Sequence, residues 1–407
     1  MDILPARLNR FLIAAAIGLF VAIVGALFIE ESPSAAIVRG DFPAFYTMAT
    51  IASRGEGARL YDLEVQRQTQ NELWPSLQGS LLPVAYPAFL AGLIEPLGAL
   101  SPSDARFVWT AAMMLCVVIA GILMARSSPP LHGLGWQVVV LAFLFSPLFL
   151  GVLGGQIVGL SVVLFAALIL LERKKQRGAE VLLGVVAGLW MFKPHFSLAI
   201  VVTFLLRRQG RAVGAWLATS AVLWGVGASV AGGGWLSQWY SFVKTFAHID
   251  LVTNAPQMTG LIPWLYVVCG CLGCDVSNRA EVWLVLTLLS SLVVPMILVL
   301  ASRRSFLPKE TGLVVLVGPL VVLFAPAVNF YDLALAALPL LTFLRPDRRS
   351  HLVAAGGIVA LSQVVMLVKD TGIQGSGFAF AMILAGLFVK AAARERAETA
   401  SRGELSL

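Results

Sequence analysis

The chain alternates long apolar runs with short polar or basic intervals. A helix needs about 20 apolar residues to cross the hydrocarbon of a bilayer, and about 17 at the short end. The first run of that length is Phe11 to Ile29, preceded by Arg7 and Arg10. Further runs cover roughly 83–100, 103–125, 136–153, 157–171, 179–193, 195–206, 211–231, 279–300, 310–328, 331–344, 351–368 and 376–394. The pattern predicts an all-α, polytopic transmembrane bundle. The run 83–100 carries Pro83, Pro87, Glu95 and Pro96, which fit a full span poorly. It is expected to be re-entrant or to lie in the membrane plane, which leaves about twelve crossings. The short runs 179–193 and 195–206 are expected to end near or within the membrane.

The basic residues give the bundle a direction. They come in bursts: Arg173, Lys174, Lys175 and Arg177; Arg207, Arg208 and Arg211; Arg303, Arg304 and Lys309; Arg345, Arg348 and Arg349; then Lys390, Arg394, Arg396 and Arg402. Cytoplasmic loops of membrane proteins concentrate Lys and Arg. Placing these bursts inside makes both termini cytoplasmic and turns the later runs into hairpins. Residues 1–394 then form one integral membrane domain, with a tail over 395–407. The tail is expected to be a helix end followed by disorder. Two large loops, 30–102 and 232–278, face outward.

Composition agrees and narrows the function. The 407 residues are 58% apolar and only 13% charged, with a formal net charge of +7. A soluble domain is about 45–50% apolar and about 25% charged. A soluble enzyme, a secreted disulfide scaffold and a nucleic-acid binder are excluded, because the basic residues are spread between spans and form no patch. Cys269, Cys271 and Cys274 cluster, but no fourth ligand for a zinc site stands nearby. One disulfide among them is conceivable in an oxidising compartment. Cys116 reads as a packing residue.

Within the first outer loop, residues 42–53 and 62–74 predict two amphipathic helices lying at the interface, with Leu63, Leu73 and Trp74 able to touch lipid. In the second, Gly232-Gly233-Gly234 ends a crossing, and Trp235, Trp239 and Tyr240 are expected in an aromatic belt. His248 is expected in a loop.

Polar residues at membrane depth are functional candidates by default, because leaving them unpaired is costly. The predicted topology gathers a set of them on the outer face: Asp41, Gln156, Lys193 with His195, and Asn329, Tyr331 and Asp332. Each also has a structural reading. Asp41 could cap the helix beginning at Phe42. Gln156 could satisfy backbone groups between helices. Lys193 could snorkel to the interface. Asp332 could cap the following helix or pair with Lys193. His195 could be a satisfied helix-end histidine. Together they suit sugar transfer from a lipid phosphate. Lys193 would neutralise the leaving phosphate, and Asp41 would take the acceptor's proton as general base. A transporter or flippase of a lipid-linked sugar would use similar residues, but often shows inverted repeats with paired broken helices, and none is found. A structural membrane subunit would instead scatter its polar residues.

In order along about residues 10–345, the chain resembles the family 87 glycosyltransferases, the DUF2029 type with a GT-C fold. The matching pieces are Gly40-Asp41-Phe42 with Tyr46, Gly57-Ala58-Arg59-Leu60-Tyr61-Asp62, Ala85-Tyr86-Pro87, Gly155-Gln156, Lys193-Pro194-His195, Gly232-Gly233-Gly234-Trp235, and Pro326 with Tyr331-Asp332-Leu333. The resemblance implies an inverting membrane transferase that takes a sugar, often mannose, from a polyprenyl-phosphate donor. Its acceptor would be a lipid or glycan on the outer face of the bacterial cytoplasmic membrane. Asp41 would match the family's first-loop aspartate as catalytic base. Lys193, Gln156, His195, Arg59, Tyr61 and Tyr86 would bind donor phosphate or sugar, with Asn329, Tyr331, Asp332 and His248 as further outer-face candidates. Ala88 replaces the second proline of Tyr-Pro-Pro, and Asn329 stands near the place of a late histidine found in some members. No Asp-x-Asp motif stands out, so neither a metal nor another cofactor is expected.

Overall fold

The computed structural model describes residues 40–75, 81–174, 177–255, 258–272, 280–304, 312–325, 328–369 and 376–404. The expected first crossing, Pro326 and Cys274 fall outside them. Seventeen α-helices run through these residues, which contain no β-strand. They are α1 Phe42–Ser53, α2 Leu63–Leu73, α3 Ala88–Ile94, α4 Pro102–Ser127, α5 Gly135–Leu144, α6 Ser146–Leu153, α7 Val158–Arg173, α8 Arg177–Leu189 and α9 Pro194–Leu206. Then follow α10 Gly210–Ala231, α11 Trp235–Asn254, α12 Leu261–Cys271, α13 Ala280–Arg303, α14 Val314–Phe324, α15 Leu333–Ala337, α16 Arg349–Lys369 and α17 Ser376–Glu404. Among the described residues, α4, α10, α16 and α17 contain stretches long and apolar enough to cross a membrane. The α5–α6 pair adds a fifth if it counts as one bent span. The apolar helices α9, α12 and α14 are shorter than a span.

The α5–α6 pair bends by 74°. At the break Phe145, between the two helices, is extended with ψ 97°, and Pro147 sits in the first turn of α6, where its missing N–H has no intrahelical partner to lose. Residues 81–87 form no helix and bend at Tyr86, and α3 with the 3₁₀ turn Glu95–Ala99 is too short to cross. Helices approach closely where a side chain is missing. A Cβ on Gly184 or Gly188 of α8 would collide with Ala212 or Thr219 of α10, and one on Gly159 of α7 would collide with Met113 of α4. Small residues at such crossings are a usual way for membrane helices to pack.

The helix α4 serves as a ruler. At its start the Ser101 hydroxyl accepts from the Asp104 amide. Near that end Trp109 donates its indole N–H to the Gly155 carbonyl at 2.8 Å. At its other end Ser127 accepts from Arg173, and the Ser128 hydroxyl lies 3.4 Å from the Thr342 carbonyl. Its 26 residues span about 39 Å at 1.5 Å per residue, enough for the hydrocarbon thickness of about 30 Å. The bundle thus has a Gly155 end and a Ser127 end. Arg126, Arg173, Arg345, Arg348 and the Glu172–Arg207 pair lie at the second.

Several local expectations change. The helix α1 is not amphipathic: Phe42 through Ala52 are all buried. The segment carries no charge, so no face prefers water. Trp74 packs inward, edge-on to Tyr46 at 5.7 Å between ring centres. Trp235 is buried too, its indole N–H donating to the Trp224 carbonyl at 3.1 Å. The second outer loop is largely helix, and His248 falls inside α11. The tail stays helical to Glu404. Glu395 and Glu398 explain this, since they pair with Arg345 and Arg348 at 3.8 and 2.8 Å.

Candidate active site

The Gly155 end assembles four separate pieces of chain. The first is Gly40-Asp41, packed against the turn after α6. The Asp41 amide donates to the Gly154 carbonyl at 2.9 Å. Both turns need glycine. Gly40 and Gly155 each have φ +77°, and a Cβ on Gly40 would strike Gly154. A Cβ on Gly155 would meet Phe42 at 2.5 Å and crowd the Arg106 guanidinium as well. Asp41 makes no side-chain cap to α1, so the capping explanation fails. Its side chain is half-buried. Burial first, then the Asp250 carboxylate, raise it from 3.8 to about 6, while Lys193 pulls it down.

The second piece is the break between α8 and α9. Pro194 starts α9, and Lys193 just before it is buried instead of snorkelling. Its ammonium donates to Asp332 Oδ1 at 2.5 Å and sits 5.0 Å from the Tyr331 ring centre. The third piece is the turn Asn329–Asp332. Asp332 Oδ2 accepts from the Asn329 amide at 3.4 Å, and Asn329 Nδ2 donates to the Tyr331 hydroxyl at 3.2 Å. This turn is held from outside by Thr259, whose amide donates to the Val328 carbonyl at 2.9 Å. A Cβ on Gly151 of α6 would strike the Tyr331 side chain at 2.6 Å, so the turn also rests on α6.

The fourth piece is the segment 81–87. Two buried glutamines of α2 hold it: Gln66 accepts from the Val84 amide at 3.0 Å, and Gln70 from the Leu82 amide at 3.0 Å. Tyr61 is half-buried and donates to the Tyr86 carbonyl at 3.0 Å, so it supports Tyr86 from behind. The Tyr86 phenol is held well above its ordinary range by burial and by Asp41, Asp332 and Asp250. It therefore remains protonated, within electrostatic reach of three carboxylates.

Among the buried polar atoms without a partner here are Gln156 Oε1 and His195 Nε2, with Arg106 Nη1 beside Gly155. Neither Gln156 nor His195 is the satisfied structural group its bland reading required. A buried unsatisfied polar atom costs about 1–3 kcal/mol, which marks the place as something other than packing. Arg59 departs from the set. It is exposed and pairs with Asp62 at 3.3 Å. The side chain of His248 falls outside the described residues.

Sequence reasoning missed two residues. Asp250 of α11 is buried, holds Asn254 Nδ2 at 2.7 Å, and acts electrostatically on Asp41. Its signal was an aspartate between Ile249 and Leu251 with an amide four residues on. Arg106 lies on α4 with its guanidinium 5.1 Å from the Phe42 ring centre, and donates to the Leu153 carbonyl.

The model of glycosyltransferase family 87 matches residues 84–326, more than half of the chain. The chain belongs to glycosyltransferase family 87. No curated protein and no solved structure matches it. It is a membrane glycosyltransferase. The matched segment contains Tyr86, Gln156, Lys193, His195 and Asp250. Asp41 and Asn329–Asp332 lie outside it.

Proposed function

We propose that this family 87 enzyme transfers a sugar, mannose by preference, from a polyprenyl-phosphate donor to a lipid or glycan acceptor. The reaction takes place at the Gly155 end of the bundle, on the outer face of a bacterial cytoplasmic membrane. The basic Ser127 end and both termini then face the cytoplasm, and residues 1–394 act as one GT-C domain with about twelve crossings. One observation supports the reading: the half-buried Asp41 at the Gly154 turn is within electrostatic reach of Lys193, whose ammonium pairs with Asp332.

The step is a single displacement with inversion. The acceptor oxygen forms a bond to the sugar's anomeric carbon while the bond from that carbon to the phosphate oxygen breaks. The acceptor's proton goes to the Asp41 carboxylate. The polyprenyl phosphate leaves with the bonding pair, and the Lys193 ammonium meets its growing charge. Asp332 holds that ammonium in place before the donor arrives. Tyr86 and Gln156 bind sugar hydroxyls.

Purified enzyme in lipid nanodiscs, given labelled polyprenyl-phosphate-mannose and a lipid acceptor, tests this. The expected products are mannosylated acceptor and free polyprenyl phosphate in equal amounts. Movement of intact lipid-linked sugar across a vesicle with no bond made would establish the flippase instead.

A further inference from the structure

The Ser127 end holds a cavity of about 350 Å³ that the transfer reaction does not use. Its walls are apolar, including Gly121 of α4, Val138 of α5, Leu341 before α16 and Ala354 of α16. Its rim is charged, with Arg345, Arg348, Lys390, Arg394, Glu395 and Glu398. Four cations thus face two carboxylates. Glu398 is taken up by Arg348, through two bonds of 2.8 and 3.1 Å, and by Arg394 at 3.2 Å. Glu395 lies 3.8 Å from Arg345. Lys390, exposed, makes no ion pair among the described residues.

We propose that this cavity binds an anionic phospholipid from the adjacent leaflet, with an acyl chain in the apolar interior and the phosphate at Lys390 and Arg345. Two features choose the occupant. A neutral or cationic amphiphile would leave the unpaired Lys390 ammonium unanswered at the rim. A water-soluble anion would leave the apolar walls in contact with water. The volume equals about a dozen water-sized units of about 30 Å³, which matches much of one acyl chain. Basic pockets between membrane helices at the positively charged face are suited to anionic headgroups. The site also ties the end of α17 to the segment that follows α15, and α15 begins beside Asp332, so an occupied cavity braces the back of the Lys193 site.

The test compares the full chain in nanodiscs of phosphatidylcholine alone and of phosphatidylcholine with increasing phosphatidylglycerol. The wild type is expected to show a saturable rise in Tm of several degrees with phosphatidylglycerol, smaller at 0.5 M salt. Lys390→Glu, an exposed change that leaves the packing intact, removes most of that rise while keeping the phosphatidylcholine Tm. Ala354→Trp, which fills the cavity, removes it too. An equal response of wild type and Lys390→Glu overturns the proposal. So does displacement of phosphatidylglycerol from the wild type by a polyprenyl phosphate, because the cavity would then be the donor's tail groove.

Discussion

Glu172 and Asp332 are both buried carboxylates paired with a cation, at opposite ends of the bundle. Glu172 meets Arg207 at 2.8 Å and accepts the amides of Leu313 and Val314 at 3.0 Å each, capping α14. A Cβ on Gly312, at φ +77°, would strike the Glu172 carboxylate. Charge, helix terminus and turn all agree there, and three elements are fastened together. Asp332 also has a cation and a backbone amide, yet the polar atoms near its pair are not all satisfied. Gln156 Oε1 and His195 Nε2 are buried without partners, and Asp41 is raised to about 6. Full satisfaction marks the first pair as structure. Unsatisfied polar atoms around the second are the contrast on which the proposed role of the Lys193 site rests.

Mutations can break this contrast. The largest effect is expected from Asp41→Asn, which should slow transfer by about 10²–10⁴-fold, the range for loss of a general base. Its Tm should stay or rise, because the folded protein disfavours the ionised carboxylate. A collapse of Tm would make Asp41 structural. Next is Lys193→Met, which strands a buried carboxylate at a cost of about 3–5 kcal/mol. Adding Asp332→Leu should restore thermal stability without restoring transfer. Recovery of both would reduce the pair to packing.

At the other end, Glu172→Gln should cost about 1–3 kcal/mol in unfolding measurements, with the turnover of the remaining folded enzyme unchanged. A fall in turnover per folded molecule would blur the two ends. The smallest stability effect is expected from Gln156→Leu. It removes an unsatisfied buried acceptor, so Tm should hold or rise slightly, while KM for the donor increases severalfold.

Much of the helical order was legible in the chain. Residues 42–53 are expected as a helix and form one over that range. Asp41, Gln156, Lys193 and Asp332 converge because an odd polar residue inside an apolar run has few places to go. What the pattern could not supply is the identity of the apolar surroundings. Protein interior and lipid tails exert the same pull on a side chain, so α1, Trp74 and Trp235 are expected at the interface and pack inside. Asp250 escaped for a related reason: α11 has too mixed a face to announce which side turns inward. Arg59, a motif residue, is exposed and pairs with its neighbour Asp62.

The central claim is that Asp41 removes the acceptor's proton. The pH dependence of kcat/KM for labelled sugar transfer, in the wild type and in Asp41→Asn, tests it most directly. The base must be ionised, so the wild-type rate should fall as pH drops through about 6. The Asn variant should be slow and flat across that range. An acid limb that survives unchanged in Asp41→Asn, at an undiminished rate, would contradict the account.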